Sequence, residues 1–325
     1  MKILVSLLAP ILASTTLVSA AVDGTVMNAT KNKPQPDVVV TLIQPGQQGM
    51  QTLGTATSDA QGKFQFANDL GGNPALLQAI FQGASYNLVL KPNEPTTGVE
   101  VKVFDATSKP GVAKVAQHMV LIEPSAQSLE IAETFIMEND TATTFQDPAK
   151  GSVQFYLPET AGGKAEVRIT APGGLPIDRS AEKTAVKNVY KVDYPVKPGQ
   201  SRFDVSYSLP PGDTFTSKIM HAEGITRLVT PGTVTVEGEG VEAMGQEPQT
   251  KAHIYNATTA AYTVKVTGTG SLRNQPAQAV APDEDTGEPQ IEEKAARVYT
   301  RVDLIFGFTF AILALGGVLL YRKTA

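Results

Sequence analysis

The sequence predicts an all-β protein closed at its C-terminal end by one apolar helix, and three observations carry that prediction. Short runs rich in β-branched residues alternate apolar and polar side chains, as in Val99-Glu100-Val101-Lys102-Val103, which is the period of a strand with one face in a core. Turn residues punctuate these runs: 28 Gly and 22 Pro, grouped as in Pro172-Gly173-Gly174, Lys197-Pro198-Gly199 and Pro210-Pro211-Gly212. The third observation is a stretch of 18 residues without a charge, Leu304 to Tyr321, between Asp303 and Arg322-Lys323.

The two ends carry different apolar signals. Residues 1–20 read as a secretory signal peptide: Lys2, an apolar run from Ile3 broken by Pro10, and the small residues Val18-Ser19-Ala20 before a cut that leaves Ala21 first. Residues 302–321 read as a transmembrane helix, since 18 uncharged residues at a helical rise of about 1.5 Å each nearly cross a hydrocarbon core of about 30 Å. A membrane-lipid contact through this helix is therefore expected, with residues 322–325 as a cytoplasmic tail too short to signal. The signal peptide and the basic pair Arg322-Lys323 place the bulk of the chain outside the cytoplasm, in a periplasm or on a cell surface.

Between the ends the pattern divides into two sandwiches and a tether. Over 21–115 the expected strands are Ala21 to Met27, Val38 to Ile43, Gly54 to Ser58, Lys63 to Phe66, Tyr86 to Lys91 and Val99 to Phe104. Asn68 to Ile80 reads as a longer connection, helical in composition. Over 116–269 nine short strands are expected, starting at Leu129, Ser152, Ala165, Val189, Arg202, Thr214, Gly232, Lys251 and Tyr262, which suits an immunoglobulin-like sandwich. Residues 270–301 lack large apolar side chains over most of their length and are rich in Pro, Gln, Ala, Asp and Glu, the composition of a solvated tether.

Three elements in order, Asp23-Gly24-Thr25-Val26, Val38-Val39-Val40-Thr41-Leu42 and Asp59-Ala60-Gln61-Gly62-Lys63-Phe64, make the first quarter resemble the carboxypeptidase regulatory-like domain. That resemblance implies a prealbumin-like β-sandwich related to the starch-binding-type fold, of the sort carried by many bacterial surface and envelope proteins. It implies no chemistry, because the module accompanies a catalytic domain and does not perform the reaction. Asp59 and Gly62 read as turn residues, the carboxylate accepting backbone N–H groups and the glycine taking φ > 0.

Composition closes off several function classes. A net charge of -5 without a basic run offers nothing to a phosphate backbone, so nucleic acid is not an expected partner. With no Cys there is no disulfide, thiolate metal site or Cys nucleophile. The three His are His118, His221 and His253; His118-Met119 and Met220-His221 juxtapose copper-type ligands, but neighbours on a strand point to opposite faces and cannot share one ion. The paired acids Asp283-Glu284-Asp285 and Glu292-Glu293 fall in the tether, and a solvated linker gives no cleft in which a catalytic dyad could form. No catalytic, cofactor-binding or metal residue is assigned, and no enzyme activity is expected. The sequons at Asn28, Asn139 and Asn256 receive no role in a chain of bacterial character. The expected function is that of a non-catalytic, membrane-anchored envelope protein whose sandwiches serve as spacers or docking modules for other envelope or membrane proteins. The alternative is carbohydrate or peptidoglycan binding, disfavoured by the absence of Trp.

Overall fold

The computed structural model describes residues 21–46, 49–221 and 223–272, and these are all-β, with one turn of 3-10 helix at Glu159–Ala161. The expected signal peptide, membrane helix and most of the tether lie outside the described residues. Among the described residues no helix is long and apolar enough to cross a membrane.

The first body comprises β1 (Val22–Asn28), β2 (Lys33–Pro34), β3 (Val39–Gly46), β4 (Gly49–Thr57), β5 (Lys63–Phe66), β6 (Ala75–Phe81), β7 (Ala84–Leu90) and β8 (Val99–Val103). One sheet runs β2-β1-β5 with β8 added parallel to β1, and the other runs β4-β3-β6-β7. Both sheets feed a single core that includes Val22, Val26, Leu42, Phe64, Leu77 and Val101. The strand β1 buries every second residue, as its alternating sequence requires.

The β4–β5 connection has the expected turn chemistry. The Asp59 carboxylate accepts the N–H groups of Gln61 and Lys63 at 2.9 and 2.8 Å, and Gly62 sits at φ 73°. Gly24 answers a different demand. A Cβ there would stand 2.2 Å from the Val99 carbonyl oxygen, so only glycine lets β1 lie beside β8.

One expectation in this body is corrected. The segment read as helical in composition contains β6, paired to β3 on one side and β7 on the other. Its Ala75-Leu76-Leu77-Gln78-Ala79 favours helix intrinsically, but Ala75, Leu77 and Ala79 are buried at strand spacing. Two ladders and a shared core outweigh a propensity difference of a few tenths of a kcal/mol per residue.

The second body follows a small parallel pair, β9 (Ala106–Thr107) with β12 (Thr144–Phe145). Its long strands are β10 (Lys114–Pro124), β11 (Leu129–Asn139) and β18 (Gly199–Leu209). The others are β13 (Val153–Tyr156), β14 (Glu166–Thr170), β15 (Ile177–Arg179), β16 (Glu182–Lys183), β17 (Val189–Val192), β19 (Thr214–Lys218), β20 (Ile225–Thr230), β21 (Thr235–Glu237), β22 (Val241–Gln246), β23 (His253–Ala257) and β24 (Ala261–Thr267).

An eight-stranded sheet ordered β15-β14-β18-β11-β10-β20-β23-β22 shares one core with two three-stranded sheets, β13-β17-β16 and β19-β24-β21. This is broader than the nine strands expected, because β10, β15, β20 and β22 join the main sheet and β16 joins β17. β10 escapes a period-2 reading for a local reason. The register shifts between Val115 and Gln117, so buried positions change from odd (Val115) to even (His118, Val120, Ile122).

Candidate functional site: a sealed polar network under an open sheet face

The bulge at Ala116 sends His118 inward, at 4% exposure, and Met119 outward, at 42%. The two residues of the His-Met pair thus face opposite sides of the sheet, as strand geometry demands. Inside, His118 Nε2 lies 2.8 Å from Glu133 Oε2, the Tyr207 hydroxyl donates to Glu133 Oε1 at 2.8 Å, and Thr226 Oγ1 lies 3.4 Å from His118 Nδ1. Those four side chains come from four adjacent strands, β18, β11, β10 and β20. Phe135, directly opposite His118 in the β10–β11 register, stacks on the imidazole with ring centres 4.1 Å apart.

Glu133 and Tyr207 are 2% and 4% exposed, so the network is closed to solvent. Burial, and then the Glu133 carboxylate, hold the Tyr207 phenol protonated far above its ordinary range. The same two causes raise Tyr262, with the Ser217 hydroxyl on the paired strand opposing them. His221 stands edge-on to Phe135 and accepts the Gln154 N–H at 3.0 Å, with burial lowering its pKa. His253 Nδ1 donates to the Val234 carbonyl at 3.0 Å. Each histidine therefore has a separate structural partner. Among the described residues no group of three acidic, His or Cys side chains is placed to hold a metal ion.

Sequence reading missed the network, although its signal was present. In Leu129-Glu130-Ile131-Ala132-Glu133-Thr134-Phe135-Ile136-Met137 the apolar positions fall at odd numbers, and Glu133 occupies one of them. An acid on the apolar face of a strand needs a donor across the sheet. Two of the three sequon asparagines are likewise buried: Asn28 Nδ2 donates to Gln35 and Asp105 at 2.9 and 2.8 Å, and Asn139 Nδ2 donates to the Val196 carbonyl at 3.0 Å. Both are structural residues.

The raised tyrosines give a signed prediction. A neutral buried phenol stabilises the fold fully below the unfolded-state pKa of about 10, and that stability is lost as pH climbs toward the folded-state pKa, at about 1.4 kcal/mol per pH unit for each group. Urea unfolding followed from pH 7 upward is expected to show a steep alkaline fall beginning near pH 10. Tyr262→Phe should flatten that limb and change neutral-pH stability by no more than about 1 kcal/mol, the size of one neutral hydrogen bond. An unaltered alkaline limb contradicts the assignment.

On its opposite face the same sheet is open. A shallow depression of about 1210 Å³ runs over β15, β14, β18, β11 and β10. Its floor is a strip of small side chains, Ala132, Thr134, Ser206 and Ser208, with Met119 and Leu121 along one flank. The other flank is charged, and four of its charges are paired, Arg168 Nε with Asp178 Oδ1 at 2.9 Å and Arg202 Nε with Asp204 Oδ2 at 2.7 Å; Lys164, Glu166 and Arg179 line it as well. Thr134 donates to Asp204 and Ser208 donates to Glu130, each at 2.7 Å. The one aromatic residue at the depression, Tyr207, turns its hydroxyl into the core.

No protein-family model matches the chain, and no curated protein does either. Solved structures that it resembles include the M1 zinc metallopeptidase of Deinococcus radiodurans, at 13% identity and a TM-score of 0.25, covering 47% of this chain and 42% of that one. A two-domain M1 zinc metallopeptidase variant bound to L-tryptophan has 12% identity and a TM-score of 0.24, covering 49% and 44%. The chain spans less than half the length of these structures, and likenesses of this size carry no argument about fold or activity.

Proposed function

We propose that this chain is a non-catalytic, membrane-anchored envelope protein whose β-sandwiches dock other envelope proteins. The observation that carries the reading is the contrast across one sheet. Acid–base groups lie sealed and mutually partnered on the inner face, while the outer face is a wide, shallow, small-residue floor with a charged rim on one side, two of whose Arg–Asp pairs are closed. Such a floor is open enough to admit a protein surface or an extended segment, with Met119 and Leu121 as its apolar flank and Arg168 and Arg202 on its polar edge. Sugar rings would need aromatic platforms, and this floor is built from Ala, Thr and Ser. The apolar segments 1–20 and 302–321, together with the family resemblance of the first body, support export and anchoring.

Ala132→Arg, placed at the centre of the floor, is expected to leave the fold intact and to abolish site-specific crosslinking from Ser206 to a defined membrane or envelope protein in native membranes. Saturable retention of the wild-type chain on starch, chitin or peptidoglycan, sensitive to the same substitution, would overturn the reading in favour of carbohydrate.

A further inference from the structure

The first body carries a second surface, independent of the depression just described. Although 18% of the chain is charged, no residue of β3, β4, β6 or β7 is, so an entire four-stranded sheet is uncharged on both faces. Its outer face is ordered in rows by the strand register. Val39 pairs with Ile80 in one row; Ile43, Leu76 and Val89 form another; and Thr41, Gln78 and Asn87 lie between them, with Gln78 Nε2 donating to Asn87 Oδ1 at 3.4 Å. Val39, Ile80 and Val89 are 41%, 49% and 53% exposed. An uncharged face of this size is often functional even on a monomer.

We infer that this face packs against the same face of a second copy of the chain. A two-fold axis along the Thr41–Gln78–Asn87 row lays the Val39–Ile80 row of one copy on the Ile43–Leu76–Val89 row of the other and sets Gln78 opposite Gln78. Such a contact is isologous, because each row meets its complement twice. It also suits the charge distribution. Two chains of net charge -5 approach here without bringing like charges together, and no ion is desolvated. A charged partner would find nothing to pair with.

The face, and not the β4 edge of the sheet, is the contact. Along β4 the register shifts at Leu53, whose carbonyl already accepts Asn68 Nδ2 at 3.3 Å, so an added strand would meet a broken ladder. At ordinary strand spacing the face offers roughly 400 Å² per copy. This is about half of a standard interface side, so the dimer is weak and reversible.

The absence of Cys from the chain allows a clean test. In the purified full-length chain, Gln78→Cys is expected to form a disulfide-linked dimer on mild oxidation, in about tenfold greater yield than Ser206→Cys on the other open face. Adding Ile80→Lys or Val39→Lys should lower that yield by about tenfold while the circular dichroism spectrum stays unchanged. Thr41→Cys, beside the axis, serves if Gln78→Cys does not fold. Equal crosslinking at Gln78 and Ser206, or crosslinking indifferent to the lysines, overturns the inference.

Discussion

Glu133→Ala is expected to destabilise the second body by about 3–5 kcal/mol, a large share of the 5–15 kcal/mol that holds an ordinary domain together. The carboxylate is the common partner of His118 Nε2 and the Tyr207 hydroxyl, and removing it leaves both of those atoms buried without a partner, with only the Thr226 contact remaining at His118 Nδ1. The cost lies in breaking the network more than in the network's net worth. Replacing His118 and Glu133 together by apolar residues of similar volume should therefore cost less than Glu133→Ala alone, a non-additivity that a double-mutant cycle in urea measures directly. Additive losses would mean that the two side chains act independently.

Phe203→Ala is the second large effect, at about 3–5 kcal/mol. Phe203 is fully buried on β18, directly opposite Phe135 on β11 and Ile169 on β14, with Tyr194 edge-on at 6.1 Å. Its chain neighbour Arg202 faces solvent and pairs with Asp204, so Arg202→Ala is expected to cost about 1 kcal/mol or less. The pair tests register, because a slip of one residue would exchange the two side chains between core and surface. Equal losses at both positions, read from urea midpoints, would contradict the β18 register.

How much of this was legible depends on whether one segment's pattern contains the answer. The Asp59–Gly62 turn was legible, since a carboxylate and a glycine at that spacing meet local demands of the backbone. β18 was legible from its alternation of Phe203, Val205, Tyr207 and Leu209 with polar residues, and β11 from Leu129, Ile131, Phe135 and Met137 at the same spacing. β6 was not, because its composition is helical and only its position between β3 and β7 makes it a strand. β10 was hidden by a bulge that changes the buried parity halfway along. Glu133 was marked by its apolar-face position, but its partners His118, Tyr207 and Thr226 lie on three other strands, and only the sheet order brings them together. The uncharged sheet was similarly scattered over β3, β4, β6 and β7, whose sequence order is not their order in space.

The buried network and the open face proposed to bind lie on opposite sides of one sheet, and one comparison of crosslinking yields tests whether their roles are separate. A photo-crosslinker at Ser206 is introduced in native membranes into the wild-type chain, Tyr207→Phe and Ala132→Arg, each verified as folded at the assay temperature. Tyr207→Phe alters the sealed network and should crosslink the same envelope protein as the wild type in undiminished yield, whereas Ala132→Arg on the open face should abolish the crosslink. Loss of the crosslink in folded Tyr207→Phe, with retention in Ala132→Arg, would place function in the buried network and contradict the account.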